Sequence, residues 1–138
     1  MKFSKKRRAV VNSDEWLARY IVRKEHIRAD GSLKADPFIP YKHVELSVTR
    51  HFGMSEGEIW EAGKKVALQI GNKLLGRGDA QTLLFLKNNL KAIAAPIKGN
   101  RNHANIVGWP VDKQSQKEIA LELVKDHRVI YKTLPEAS

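Results

Sequence analysis

Residues 44–50 read Val44-Glu45-Leu46-Ser47-Val48-Thr49-Arg50, and five positions on comes Ser55-Glu56-Gly57-Glu58-Ile59-Trp60. In the first stretch Val44, Leu46 and Val48 alternate with Glu45, Ser47 and Thr49, the period-two pattern of a half-buried strand. In the second, Ser55 and Glu58 form a capping box. The serine hydroxyl can accept from the Glu58 N–H, and the Glu58 carboxylate can reach back to the Ser55 N–H. Behind the box Ile59, Gly63, Val66, Ala67, Ile70 and Leu74 recur at helical spacing, with Glu61, Lys64, Lys65 and Gln69 off that stripe. Gly71 or Gly76 would end the helix.

Working outward, Ser13-Asp14-Glu15 resembles a helix start, but Trp16 to Arg23 alternates and favours a strand. Asp30-Gly31 marks a turn. Asp36-Pro37-Phe38-Ile39-Pro40 cannot be helical throughout, because each proline lacks an N–H and holds its predecessor extended. Gly76-Arg77-Gly78-Asp79 reads as a turn, with Asp79 capping a short helix to about Asn88. Leu90–Ile97 and Ala104–Trp109 read as strands, and Asp112 caps a second amphipathic helix with Ile119, Ala120, Leu123, Val124 and His127 on one face. Arg128–Thr133 reads as a last strand. The expected fold is α+β: a small mixed or antiparallel sheet with two to three helices packed on one face. Residues 1–12 are expected to be a flexible basic arm, 13–134 a single domain and 135–138 a fraying tail.

The chain has 138 residues, enough for one domain, and no cysteine. The missing thiols exclude disulfides, thiolate zinc sites, iron–sulfur clusters and cysteine nucleophiles, and they suit a cytoplasmic setting. Only Ala9-Val10-Val11 is apolar near the start, too short for a secretory signal, and no apolar run is long enough to span a bilayer. No membrane partner is expected.

Lys and Arg exceed Asp and Glu by ten. Five of these cations, Lys2, Lys5, Lys6, Arg7 and Arg8, lie in the first eight residues. A second basic stretch follows later: the 32 residues between Asp79 and Asp112 hold no acid but contain Lys87, Lys91, Lys98 and Arg101. Such an excess points to a polyanion. Lys5, Lys6, Arg7, Arg8, Lys87, Lys91, Lys98 and Arg101 are the candidate phosphate contacts, and Trp109 is a candidate for stacking on a base. The expected function is a small nucleic-acid-binding accessory protein that grips the backbone with low sequence specificity. Composition does not separate DNA from RNA.

An alternative is a small enzyme acting on a nucleotide or RNA phosphate. His103 would move a proton, Arg50 and Arg101 would grip phosphate, and Asn105 would orient the substrate. That reading requires His103 and Arg50 to line one pocket. The plainer reading of the same stretch has the asparagines stabilising a turn, His103 bonding a loop carbonyl and Trp109 in the core. Arg19, Arg23, His26 and Arg28, with Arg50 and His51 after the 44–50 strand, offer a further anion-binding wall, but a strand rim charged against edge pairing is the favoured reading. A protein–protein adaptor, with Trp16, Trp60 and Trp109 in the core or an interface, is the third expectation. No metal motif, phosphate-binding glycine loop or nucleophile elbow is present, so no metal and no cofactor are expected.

Ser55-Glu56-Gly57-Glu58-Ile59-Trp60, Gly76-Arg77-Gly78-Asp79 and His103-Ala104-Asn105-Ile106-Val107-Gly108-Trp109-Pro110, in this order, resemble a group of short bacterial proteins of unknown function. The resemblance spans about Leu17 to His127 and leaves out the basic arm. It implies a bacterial, cytoplasmic setting and draws attention to His103 and Arg50. It implies no activity.

Overall fold

Ser55 and Glu58 make both bonds of the expected capping box, Glu58 N–H to Ser55 Oγ at 3.2 Å and Ser55 N–H to Glu58 Oε1 at 3.0 Å. They open α1, Glu56–Gln69, which ends at Ile70 with Gly71 in the left-handed region at φ 72°. A computed structural model describes residues 9–40, 44–125 and 129–135. Its strands are β1 (Trp16–Ile21), β2 (Leu46–Arg50), β3 (Gly76–Gln81), β4 (Lys91–Ala94), β5 (His103–Val107) and β6 (Ile130–Thr133). The other described helices are α2 (Thr82–Lys87) and α3 (Lys113–Lys125). The six strands form one antiparallel sheet in the order β4-β5-β2-β1-β3-β6, so the fold is α+β.

Residues opposite each other in the ladder share a face. Leu17 faces Arg50 and Ala80, Leu46 faces Ile106, and Val48 faces Ala104. This face carries the main core, closed by Phe38, Leu84, Phe85, Trp109, Ala120 and Leu123 from the loops and from α2 and α3. The reverse face carries Tyr20 opposite Arg77, Ala18 opposite Asp79, and Thr49 opposite His103. Here α1 packs, burying Trp60 and Ala67 with Leu74 against Tyr20 and Val22. Helices therefore cover both faces rather than the single face expected. A Cβ at Gly63 would fall 2.5 Å from a Tyr20 ring carbon, so the helix approaches the sheet through a residue without a side chain.

Gly76-Arg77-Gly78-Asp79 corrects the expected turn. It is most of β3, an interior strand between β1 and β6. Crowding demands glycine at Gly76, where a Cβ would sit 2.6 Å from the Lys132 carbonyl oxygen, and a Cβ at Gly78 would press to 3.1 Å on both Leu33 and Phe38. Asp79 caps nothing; α2 starts after Gln81, with no side-chain cap. By contrast Asp112 does cap α3, accepting from the Ser115 N–H at 2.9 Å. Ile70, expected on the buried stripe of α1, is exposed. The expected arm at residues 1–8 lies outside the described residues, as does His127.

Candidate nucleic-acid interface

The free-edge strand β4 is where the acid-free stretch meets the surface. Val10 bridges Ile93 in antiparallel sense, so the chain enters the domain along this edge. Ala9 lines a cavity of about 330 Å³ with Arg50, Phe52, Ala94, Pro96, Arg101 and Asn102. Lys87 lies at the end of α2, four positions before β4 starts at Lys91, while Lys98 and Arg101 lie in the turn after β4. All four side chains are exposed, and none has a carboxylate within 4 Å among the described residues. The chain from Lys91 to Lys98 spans at most about 23 Å at ~3.3 Å per residue, enough to follow several phosphates.

Asparagines hold this turn to the sheet. Asn100 Nδ2 donates to Thr49 Oγ1 at 2.9 Å, and Asn102 N–H donates to Asn100 Oδ1 at 3.1 Å. Asn102 Nδ2 donates to the carbonyls of Arg50 and Phe52. Arg101 therefore projects from a fixed turn, and it also lines a second cavity, of about 420 Å³, with Phe52, Lys65, Glu58 and Glu61.

The three residues offered as one catalytic group are not brought together. Arg50 lies on the core face of β2, 3% exposed. Its Nε donates to Glu15 Oε1 at 2.7 Å, its Nη2 donates to Glu15 Oε2 at 3.0 Å and to the Val10 carbonyl at 3.1 Å, and it stacks 5.0 Å from the Phe52 ring centroid. It anchors the N-terminal segment and its charge is matched. His103 and Asn105 share the opposite face, as their strand spacing predicted. His103 is half-buried, with Nδ1 2.8 Å from the Ala95 carbonyl. Trp109 is not available to a base: it is 6% exposed, with Nε1 donating to the Ile106 carbonyl at 3.0 Å. Lys5, Lys6, Arg7 and Arg8 fall outside the described residues.

One polar group escaped the sequence reading. Arg77 is fully buried on the α1 face. Its Nε donates to both Asp79 oxygens at 3.0 and 3.1 Å, its Nη2 donates to Glu56 Oε1 at 2.6 Å, and its guanidinium lies 4.5 Å from the Trp60 ring centroid. Burial alone would lower the Arg77 pKa, but the bonds to Glu56 and the charge of Asp79 outweigh it and raise it. Lys132 Nζ reaches Glu56 at 3.3 Å, and His51 Nε2 lies 3.4 Å from Asp79 Oδ1. The signal was an Arg and an Asp two apart, which share a face if the segment is a strand. The two glycines hid the strand.

Among the described residues no three His, Asp or Glu side chains gather to hold a metal ion, and no helix is long and apolar enough to cross a membrane. The chain matches no protein-family model, no curated protein and no solved structure.

Proposed function

We propose that the protein binds nucleic acid through its phosphate backbone, using the β4 edge and the basic residues that precede Ala9. The observation that carries this is the Val10–Ile93 bridge. It joins the five cations of residues 1–8 in sequence to the rim where Lys98 and Arg101 stand, neither of them within 4 Å of a carboxylate among the described residues, although Arg101 shares a cavity with Glu58 and Glu61. Cations in that state release counterions on meeting phosphates, whereas paired ones such as Arg50 have a protein carboxylate to give up first.

The contacts lack the features of base reading. Trp109, the candidate for stacking on a base, is inside the core. Affinity is therefore expected to depend on salt and little on sequence. The test is binding of nuclease-treated protein to a single-stranded and a duplex oligonucleotide across a salt series. Log affinity is expected to fall linearly with log salt. A salt-independent affinity, or no binding at low salt, rejects the proposal. The alternative enzyme built on His103, Arg50 and Asn105 is not proposed, because the sheet separates Arg50 from the other two.

A further inference from the structure

The reverse face of the sheet is covered on one half only. Helix α1 packs over β1, where Trp60, Ala67 and Leu74 meet Tyr20 and Val22. On β2, β5 and β4 the same face is open among the described residues. Pairing sets Val10, Ile93, Asn105 and Ser47 in one row across it. Asn105 is half-buried and the other three are exposed. Where the covered half meets the open half, α1 and the sheet leave a cavity of about 260 Å³. Val66 and Ile70 wall it on the α1 side, and Thr49, His103, Ile97 and Asn100 on the other, with no Asp or Glu in the lining. The volume falls below the ~300–1,000 Å³ of sites that enclose a whole small molecule, and it suits one flat group. His103 Nδ1 lies 2.8 Å from the Ala95 carbonyl, which can only accept, so the neutral ring keeps Nε2 as an acceptor. Arg19, which also lines the cavity, donates from Nε to the Pro37 carbonyl and from Nη1 to the Ser47 carbonyl. Its Nη2 has no protein acceptor among the described residues. Apolar walls with a spare donor and a spare acceptor match the faces and edges of a nucleobase.

One tight turn joins this cavity to the basic rim. Ile97 and Asn100 exchange both backbone hydrogen bonds, at 3.1 and 3.0 Å, across Lys98-Gly99, with Gly99 in the left-handed region at φ 89°. Ile97 and Asn100 line the cavity, while Lys98 at the tip is exposed and has no carboxylate within 4 Å among the described residues. Val10 runs antiparallel to β4, so the chain before it heads toward the same turn, with Ale-free continuity at Ala9 beside Pro96. The five cations of residues 1–8 therefore join in sequence at the cavity's end of the face. Alternation places one acid on this face, Glu45, one position before β2 and at the opposite, Lys91 end. We propose that the cavity takes one unpaired base of a single-stranded nucleic acid whose backbone passes over the Lys98 turn. This rests on the reading of the β4 edge as a phosphate-binding rim and names its ligand as a single strand. A paired base is held in its stack and cannot enter a cavity beneath a helix without leaving its partner.

The probes are one mixed-sequence oligonucleotide made as single-stranded DNA, as single-stranded RNA and as duplex DNA, titrated into the full chain across a salt series. The tighter of the two single strands is expected to exceed the duplex by about tenfold, because a duplex must unpair a base to fill the cavity. Val66→Phe, which fills the cavity from α1, is expected to bring single-strand affinity down to the duplex value and to leave the duplex unchanged. The slope of log affinity against log salt is expected to stay the same in this variant, since no phosphate contact is lost. Because the larger ring could shift α1, Ile97→Ser is made alongside it. Ile97 is exposed, so the fold tolerates the change, and a several-fold loss confined to the single strand is expected. A duplex bound as tightly as both single strands, or a single-strand affinity unmoved by both substitutions, would overturn the base site and leave the phosphate-binding rim standing. No binding of any probe at low salt would overturn the rim itself, and the base site with it.

Discussion

The two halves of the sheet treat positive charge in opposite ways. On the β3 side Arg77 is fully enclosed, with its charge held by the carboxylates of Asp79 and Glu56 and by the face of Trp60. On the β4 side Lys91, Lys98 and Arg101 stand in solvent with no carboxylate within 4 Å among the described residues. The contrast teaches that the count of cations says little about a partner until each is sorted by what already holds it. Arg50 and Arg101 make the point at closest range. They line one cavity, yet the first is locked to Glu15 and the second is not.

The comparison breaks first if Arg77 is not structural. Arg77→Met is expected to destabilise the fold by about 3–5 kcal/mol, because it leaves Asp79 buried without its partner. Urea unfolding monitored by tryptophan fluorescence measures this. The double variant Arg77→Met with Asp79→Leu is expected to recover part of the loss, since it removes the stranded charge as well as its partner. A single variant as stable as wild type would mean that the buried network contributes nothing and that the two halves do not differ as argued.

On the other half the expected effects are on binding. Removing residues 1–8 takes away five cations and is expected to flatten the dependence of log affinity on log salt by up to about 4.5, or about 0.9 for each lost phosphate contact on duplex DNA. Arg101→Gln and Lys98→Gln are each expected to flatten it by about 1. Their unfolding free energies are expected to stay within ~0.5 kcal/mol of wild type, as for surface substitutions. Arg50→Gln should do the reverse, lowering stability through stranded Glu15 while leaving the salt slope near its original value. A large change of slope for Arg50→Gln would place that residue on the binding surface and dissolve the distinction.

How much of this was legible beforehand follows the same division. The elements that carry their own local signal were readable: β2 by strict alternation, α1 by its capping box, α3 by Asp112. The segment β3 was not, because its strand identity comes from neighbours. Gly78 leaves room for Leu33 and Phe38, which a Cβ would press to 3.1 Å, so the position that would have shown an apolar alternation carries no side chain. For the site, the exposed cations could be named from composition alone, but their pairing could not. Nothing in the letters distinguishes Arg50 from Arg101, since Glu15 lies 35 positions away from Arg50 and meets it only through the β1–β2 pairing. Likewise Trp109 resembles a stacking platform in one dimension, and only the α3 side of the core shows that its ring is spent on packing.

The smallest expected effect sharpens the comparison at the edge of the buried network. Glu56 is the network's outermost member, with its side chain 58% exposed, and it accepts from both Arg77 and Lys132. The bond from Arg77, above all, holds its pKa below the ordinary 4.5. A carboxyl group depressed on folding adds stability that is present in full above its unfolded pKa and is lost as pH falls through the folded value. Wild type is therefore expected to exceed Glu56→Gln in stability near pH 7, with the gap closing as pH drops below 4.5. Other carboxylates titrate in the same window, so the quantity to read is the difference between the two proteins rather than either curve. Solvent screening keeps that difference small, because an exposed partner gains less from an ion pair than an enclosed one. If the gap stays constant with pH, Glu56 supports Arg77 by shape and not by charge. The matched region would then end at Asp79, and Lys132 would join the unmatched cations of the surface.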